Sequence, residues 1–354
     1  MDLFETMKRT SSKEMLFWDE PKVNLKAILV INNSTLGPAL CSCKMFDYAS
    51  TDDAIQDALI IANYNTYRSA LMHRSVGGGS LILLGDPEKI KTEEYFRVLG
   101  SFLNKLNGKV YIVSESGVNN KDLLYVKRES NYVLGLPEMY KGSGDRAIRT
   151  ATGVLWGMKA AAREKFGDSS LKGLKIAIRG VGYVGKALVD VLLNEGCEIV
   201  VTDKIYDKIK EIQDKFPQVK ILKPKEIIKE KVDIFSPCDS SNSITIEDAK
   251  NINCSIIAGS TNCAIEDKRV LKTLLKKDIL VMPGYLINSG DIIQVANELN
   301  LYPKTKTDQE LKDIYYRSLN ILNRARKENI DITKLVLQEA KQYIEKISYI
   351  KSLK

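Results

Sequence analysis

Three glycines, at positions 180, 182 and 185, have a spacing that can bring the backbone close to phosphate groups. They stand in R-G-V-G-Y-V-G, after the apolar run LKIAIRG and at the start of a helical pattern. In such a loop the first glycine permits a tight turn, the second lets the backbone approach a pyrophosphate, and the third allows close helix packing. The N–H groups at the helix N-terminus favour anions. Residues 174 to 203 therefore predict a dinucleotide-binding βαβ unit. The predicted loop residues are Gly180, Gly182, Tyr183, Val184 and Gly185.

An acidic residue, Asp203, ends the next strand-like run, E-I-V-V-T-D. A carboxylate at this position of a dinucleotide-binding unit takes the hydroxyls of the adenine ribose. Because a carboxylate repels a phosphate on that ribose, we expect the cofactor to be NAD. NADP is less favoured, although Lys204 lies beside the carboxylate.

Proton-transferring side chains are few. His73 is the only histidine, and it is the best proton donor at neutral pH that the sequence offers, ahead of Tyr67 and Glu115. Cys41 and Cys43 form a lone C-x-C among six cysteines, which we expect to be reduced thiols. A metal site needs three or four ligands at workable spacing, so we expect none.

Composition restricts the classes of partner. The formal net charge of +8 comes from basic residues spread along the chain and interleaved with acids, which argues against nucleic-acid binding. No apolar run is long enough to span a membrane, and the N-terminus lacks the apolar stretch of a signal peptide. We therefore expect a cytoplasmic protein that acts on a small molecule.

Alternating elements predict the fold that positions these residues. In the first half, strand-like runs at 26–33, 80–87 and 110–116 alternate with helical patterns at 51–72 and 92–106. A long helical pattern begins near Gly144, and the second half repeats short apolar runs with helices between them. The chain from Asp308 is expected to be helical throughout. The pattern predicts an α/β protein with an N-terminal α/β domain and a C-terminal doubly wound Rossmann domain.

The ordered motifs of this chain resemble those of the amino acid dehydrogenase family that includes leucine, phenylalanine, valine and glutamate dehydrogenases. The resemblance extends from about Leu36 to Glu298. The motifs are G-P-A-L (37–40), G-G-G followed by G-D-P (77–87), G-V-L-W-G-M-K-A-A-A (153–162), G-V-G-Y-V-G (180–185), D-I-F-S-P-C (233–238), I-A-G-S-T-N (257–262) and Y-L-I-N-S-G (285–290).

This resemblance implies a domain division and an assembly. We expect a substrate and dimerisation domain at 1–145, a dinucleotide-binding domain at 146–325, and a C-terminal helix at 326–354 that packs back on the substrate domain. The resemblance also implies a cleft that closes for hydride transfer, and a homo-oligomer. It places Thr150, Cys238 and Asn262 at the cofactor, and Leu40, Asn262 and Asn288 at the substrate.

Two positions depart from the family's pattern. The family's reaction, oxidative deamination, uses a lysine directly after the triple glycine and an aspartate after a later strand as acid/base groups. This chain has Ser80 and Ser116 at those positions. A serine hydroxyl cannot act as a base without a partner base, which the local sequence does not supply. Ser80, Ser116 and His73 are nevertheless our candidates for the catalytic positions.

Cations remain where the resemblance places the substrate carboxylate. The family's second lysine aligns with Arg68, whose guanidinium can bind a carboxylate through two parallel hydrogen bonds. We therefore expect a substrate with a carboxylate.

Arg146 and Arg149 are further cations that could recognise a larger or more acidic substrate, or could be solvated. Cys41 and Ser42 replace the family's glycine pair after G-P-A-L.

Three functions are compatible with this pattern. The first is an NAD(P)-dependent reductase of a preformed C=N bond, which needs no step that makes or breaks a carbinolamine. The second is an amino acid dehydrogenase whose acid/base work has moved to other residues, with His73 as the replacement. The third is a cofactor-binding pseudoenzyme with a regulatory or structural role, against which the intact glycine loop argues.

Overall fold

The chain folds into two α/β units in a computed structural model, which describes residues 2–239, 244–262, 264–300 and 303–353. The first unit comprises Met1–Asp145, Gln294–Pro303 and Glu339–Lys354, and the second comprises Arg146–Ile293 and Lys304–Gln338.

The strands are β1 Glu14–Glu20, β2 Leu25–Asn33, β3 Ala39–Phe46, β4 Gly77–Leu84, β5 Val110–Ser114, β6 Lys175–Arg179, β7 Glu198–Thr202, β8 Lys220–Ile221, β9 Ile234–Pro237, β10 Ile256–Ile257 and β11 Leu280–Val281. The helices are α1 Leu3–Thr10, α2 Thr51–Leu71, α3 Glu93–Asn104, α4 Asn120–Lys127, α5 Arg146–Phe166, α6 Tyr183–Asn194, α7 Tyr206–Lys215, α8 Ile246–Asn251, α9 Lys268–Lys276, α10 Gly284–Ile287, α11 Gly290–Glu298, α12 Lys304–Glu328 and α13 Ile332–Ser352.

The first unit contains a mixed five-stranded sheet in the order β1-β2-β4-β3-β5. Strands β1, β2 and β4 pair antiparallel, whereas β3 is parallel to both β4 and β5. Alternate residues of β2 point to opposite faces, as the two-residue period of a strand requires. Ile28 and Val30 pack with α2 residues, and Leu29 and Ile31 share a core with Phe96 of α3. The central strands are therefore covered by helices on both faces.

The second unit contains a parallel six-stranded sheet in the order β11-β10-β9-β6-β7-β8. The chain runs outward from β6 to β8 and then returns to β9 on the other side of β6, so the strand order reverses between these two neighbours. This arrangement is the doubly wound Rossmann order, in which ligands bind at the carboxyl ends of the strands beside the reversal. The predicted fold class is confirmed.

Two predicted domain boundaries differ from the structure. Residues 294–303 lie in the first unit, because the Glu298 carboxylate accepts hydrogen bonds from the backbone N–H groups of Gly135 and Ser143 at 2.9 Å each. Residues 326–338 belong to the second unit, where α12 packs along α5. The C-terminal segment is also not helical throughout, because Asn329, with φ of 52°, separates α12 from α13.

Local sequence accounts for where the site-bearing helices begin. Ser50 caps α2 by accepting a hydrogen bond from the N–H of Asp53 at 3.1 Å, and Thr92 caps α3 in the same way.

Within the described ranges, no helix is both long and apolar enough to cross a membrane. The described residues also contain no group of three or more His, Cys, Asp or Glu side chains placed to hold a metal ion.

Candidate active site

The glycine turn in the second unit leaves no room for side chains at two of its three glycines. Gly180 has φ of 100°, and a Cβ there would lie 2.7 Å from the backbone N of Asp239. A Cβ on Gly185 would lie 2.0 Å from the carbonyl oxygen of Gly180. The first and third glycines are therefore required by the turn and by helix packing, as the sequence predicts.

The second glycine faces open space at the start of α6. Around a Cβ on Gly182, the nearest atom is the Nζ of Lys208 at 4.0 Å, and no side chain caps the helix there. The N–H groups of this helix end can therefore donate hydrogen bonds to an anionic ligand. Beside it, Tyr183 is 89% exposed and Val184 is partly buried. These residues fit the pyrophosphate of a dinucleotide.

The carboxylate of Asp203 is held beside the turn by two backbone donors. Its Oδ2 accepts a hydrogen bond from the N–H of Val181 at 2.8 Å, and its Oδ1 accepts one from the N–H of Ile205 at 2.9 Å. Asp203 is only partly buried, and each oxygen keeps a lone pair for a ribose hydroxyl. Asp203 therefore both stabilises the glycine turn and presents an acceptor in the predicted place.

The two predicted asparagines of the second unit lie together. Asn288 is buried, and its Nδ2 donates to the Oδ1 of Asn262 at 2.9 Å and to the carbonyl of Ser260 at 2.8 Å. Thr150 is also buried, but its hydroxyl donates within its own helix, to the carbonyl of Arg146 at 3.1 Å. An amide pair of this kind can donate to or accept from a carboxamide or carboxylate.

Cys238 lies behind the glycine turn. Its N–H donates to the carbonyl of Arg179 at 2.8 Å, and its Cβ would be 3.5 Å from a Cβ on Gly185. Burial raises the pKa of the Cys238 thiol, so the thiol is neutral at physiological pH. These contacts give it a packing role next to the glycine turn.

In the first unit, Arg68 belongs to a buried polar cluster rather than to the surface. It is 6% exposed, its Nη1 donates to Asn65 Oδ1 at 3.3 Å, and its guanidinium lies over the ring of Tyr64. Asn65 Nδ2 in turn donates to Ser42 Oγ at 3.1 Å and to the carbonyl of Gly79 at 3.0 Å. Sequence reasoning missed Asn65, although its spacing of three residues from Arg68 on a helix places the two side chains together.

The two serines predicted at the family's acid/base positions have different surroundings. Ser80 is fully buried, and its hydroxyl donates to the carbonyl of Ala58 in α2 at 2.6 Å. Ser116 is exposed in the turn after β5, and its Oγ lies 3.3 Å from Glu115 Oε1. The expectation that neither serine has a neighbouring base is therefore wrong for Ser116. Lys91 holds this turn by donating to the carbonyl of Gly117 at 3.0 Å.

The other predicted residues have identified packing partners. His73 is exposed, has φ of 51°, and stacks on Tyr343 of α13 with ring centroids 4.1 Å apart. Leu40 is buried on β3, in register with Gly78 and Tyr111.

The two additional arginines are paired with carboxylates. Arg146 forms an ion pair with Asp291 at 2.7 Å, and Arg149 forms one with Asp308. These contacts show that both side chains are held by carboxylates, and they do not test the recognition of a larger or more acidic substrate.

The parallel sheet, the glycine turn and Asp203 define a dinucleotide-binding protein of the Rossmann class. Residues 18–137 match the Glu/Leu/Phe/Val dehydrogenase dimerisation domain, and residues 194–351 match the Glutamate/Leucine/Phenylalanine/Valine dehydrogenase domain. The chain belongs to this family. It is an NAD(P)-dependent dehydrogenase of the amino acid dehydrogenase class, as its motifs indicated.

Individual relatives align over nearly the whole chain. Phenylalanine dehydrogenase of Thermoactinomyces intermedius is 37% identical, with 99% of this chain and 96% of that protein covered. Leucine dehydrogenase of the same organism is 36% identical, with coverages of 93% and 90%. The crystal structure of L-tryptophan dehydrogenase from Nostoc punctiforme superposes with a TM-score of 0.79 at 30% identity, covering 98% of this chain and 99% of that one. A hetero-hexameric glutamate dehydrogenase from Thermus thermophilus has a TM-score of 0.82 at 16% identity, with coverages of 98% and 95%, which shows a shared fold alone.

Proposed function

We propose that this protein is an NAD-dependent oxidoreductase that reduces a preformed C=N bond in an amino-acid-like substrate. The observation that carries the proposal is the position of Ser80. Where the family resemblance places a catalytic lysine, this chain has a fully buried hydroxyl bonded to the Ala58 carbonyl. A hydroxyl held in this way is not available to a substrate, so the lysine's proton chemistry has no counterpart at that position.

The reaction class follows from which steps need protein acid/base groups. Making an imine from a carbonyl and an amine requires protons to be moved while water is lost, and the reverse reaction requires them again. An iminium substrate already has its proton on nitrogen, so transfer of a hydride to its carbon completes the amine. When bound, the nicotinamide supplies that hydride. The residues of this chain then have to bind and orient the substrate rather than exchange its protons.

The Arg68 cluster is the proposed binding site for a substrate carboxylate. A guanidinium can donate two parallel hydrogen bonds to a carboxylate, and Asn65 limits how the Arg68 side chain can move. Burial strengthens such a contact because water competes less well for the charges. An amino-acid-like or imino-acid-like substrate suits this cluster better than a neutral imine does.

For the cofactor we propose NAD in preference to NADP. The support is Asp203, whose carboxylate is fixed by the N–H groups of Val181 and Ile205 and would lie against a ribose phosphate. We also propose that the chain forms a homo-oligomer, since residues 18–137 match a domain described as a dimerisation domain.

A second candidate, reversible oxidative deamination, is favoured by the contact between Ser116 and Glu115. Glu115 brings a carboxylate to the segment where the family's aspartate is expected, and its Oε1 accepts from both the Oγ and the N–H of Ser116. In this alternative, Glu115 or His73 would take over the relocated acid/base work. The removal of such a group costs roughly 100- to 10,000-fold in rate, so either Glu115→Gln or His73→Asn would be nearly inactive, according to which residue does this work.

Oxidation of NADH across a substrate panel distinguishes these functions. The panel contains cyclic imino acids, 2-oxo acids with methylamine or ammonia, and the same imines without a carboxylate. The proposal expects turnover of carboxylated imines that survives Glu115→Gln, with little reaction of 2-oxo acids with ammonia. Efficient use of ammonia that is lost in Glu115→Gln would instead establish deamination. Binding of NADH without turnover of any member would indicate a pseudoenzyme.

A further inference from the structure

A buried ion pair lies directly under the glycine turn. Arg179 is the last residue of β6, immediately before Gly180, and its Nε lies 3.0 Å from Asp239 Oδ2. Its Nη1 is 3.7 Å from Asp248 Oδ2, and its guanidinium packs over the ring of Phe235. The side chains of Arg179 and Asp239 are 10% and 16% exposed. One cation therefore faces two carboxylates in a largely dehydrated place.

The same pair connects the two strands that flank the reversal of strand order. Arg179 and Asp239 lie at the carboxyl ends of neighbouring β6 and β9, where a Rossmann sheet binds its ligand. The Arg179 carbonyl accepts from the N–H of Cys238 at 2.8 Å, and the backbone N of Asp239 closely approaches Gly180. Any movement of Asp239 would therefore shift the turn.

Contacts continue from Asp239 to the asparagine pair. Thr261 Oγ1 donates to the carbonyl of Asp239 at 2.7 Å, and the N–H of Thr261 donates to the carbonyl of Pro237 at 3.1 Å. Next along the chain is Asn262, which accepts from Asn288. The glycine turn and the asparagines are thus joined through residues 237–239 and 260–262.

The ion pair also affects the electrostatic potential at the glycine turn. The cofactor's pyrophosphate is anionic, so uncompensated carboxylates near the glycine turn would weaken its binding. We propose that Arg179 is a positioning residue for the cofactor, which acts by neutralising the carboxylates of Asp239 and Asp248 beside the glycine turn. The inference rests on the nicotinamide cofactor of the family and is independent of the proposed substrate.

Calorimetric titration of the full-length protein with NADH, at several salt concentrations, tests the two partners separately. Arg179→Gln removes the cation that faces the two carboxylates, and we expect NADH affinity to fall roughly tenfold or more at low salt. Added salt should recover part of that loss by screening the repulsion. Asp239→Asn removes a negative charge and should leave NADH affinity equal or higher. The double variant Arg179→Gln with Asp239→Asn should bind better than Arg179→Gln alone.

A matched control lies at the other end of the same strand. Lys175 begins β6 and pairs with Glu230 at 2.7 Å, away from the glycine turn. Lys175→Gln should lower the melting temperature without changing NADH affinity.

If Arg179→Gln does not fold, Arg179→Lys replaces it, and we expect its affinity to stay within roughly threefold of wild type because the charge is retained. The proposal is overturned if Arg179→Gln binds NADH normally, if Asp239→Asn weakens binding as much, or if Arg179→Lys loses binding as a neutral variant would. Since no substrate is used, these results do not depend on the imine proposal.

Discussion

Single side chains decide which chemistry this scaffold can perform. Asp203 retains its place beside the glycine turn, and Arg68 retains a cation where the resemblance implies one. Ser80 and Ser116 stand where the resemblance implies acid/base groups, and only Ser116 has a neighbouring carboxylate. The proposed change of function therefore concerns proton handling, while the groups proposed to hold cofactor and substrate carboxylate persist.

Asp203→Asn should reduce the preference for NADH over NADPH. The substitution removes the charge that repels a ribose phosphate, and it weakens hydrogen bonds to a charged acceptor, which contribute about 1.5–3 kcal/mol each. We expect NADH affinity to fall roughly tenfold and NADPH affinity to change less. Fluorescence titration with both cofactors measures the ratio of dissociation constants, and an unchanged ratio would contradict the ribose assignment. Lys204→Gln is the adjacent control, expected to affect NADPH alone.

Arg68→Ala should raise the KM for a carboxylated substrate and lower kcat/KM by roughly 100-fold, because a charge-assisted bidentate contact is lost. Arg68→Lys should retain part of the activity. Steady-state kinetics on matched imines with and without a carboxylate is the measurement, and the uncarboxylated substrate should show little effect. Equal losses on both substrates would sink the carboxylate assignment. Arg97→Ala, a surface cation paired with Glu129, controls for a general loss of positive charge.

At the scale of elements, the sequence predicts most helices and the strands of the second unit, because these repeat apolar runs between clear turn signals. It does not reveal β1 or β3. Strand β1 is a half-exposed edge strand, and β3 carries two cysteines, a serine and a lysine in A-L-C-S-C-K-M-F. Their strand character comes from pairing with β2, β4 and β5, which local pattern does not contain.

The candidate site is predictable to a similar extent. The glycine turn and Asp203 follow from local spacing, whereas the asparagines follow from the family resemblance. Asn65, the Glu115–Ser116 contact and the Arg179–Asp239 pair depend on which side chains meet after folding. Asp239 lies 60 residues beyond Arg179 in the chain and becomes its neighbour only through the pairing of β6 with β9.

Ser80→Ala tests whether the contact between α2 and β4 is structural. The variant leaves the Ala58 carbonyl without its donor, which should lower the free energy of unfolding by about 1 kcal/mol. Because the hydroxyl is fully buried, turnover on the best imine substrate should remain within roughly twofold of wild type. Denaturant unfolding and steady-state kinetics are measured on the same preparation. A large loss of turnover at unchanged stability would restore a catalytic role for Ser80.

Across the whole molecule, the architecture is shared with relatives while individual polar residues differ. The phenylalanine and leucine dehydrogenases of T. intermedius align with at least 93% of this chain. A fold can host different reactions when the groups in its site change. In this chain the second unit has the doubly wound sheet and the glycine turn, and the serines proposed to replace the family's acid/base groups lie in the first unit.

Hydrogen exchange with ADP-ribose and with NADH should divide four segments of the second unit into two groups. The N–H groups at the start of α6 have no side-chain cap, so a bound pyrophosphate should protect residues 180–186. At a ligand concentration 100 times the dissociation constant, binding slows exchange through the unbound state by about 100-fold, equivalent to about 2.7 kcal/mol.

ADP-ribose should protect 180–186 and 203–206 but leave 257–262 and 284–290 near their free rates. NADH should protect all four segments, because the resemblance places Asn262 at the cofactor and Asn288 is hydrogen-bonded to it. Equal protection of 257–262 by both ligands would show that these asparagines respond to the adenosine half, and the assignment of the two ends would then be wrong.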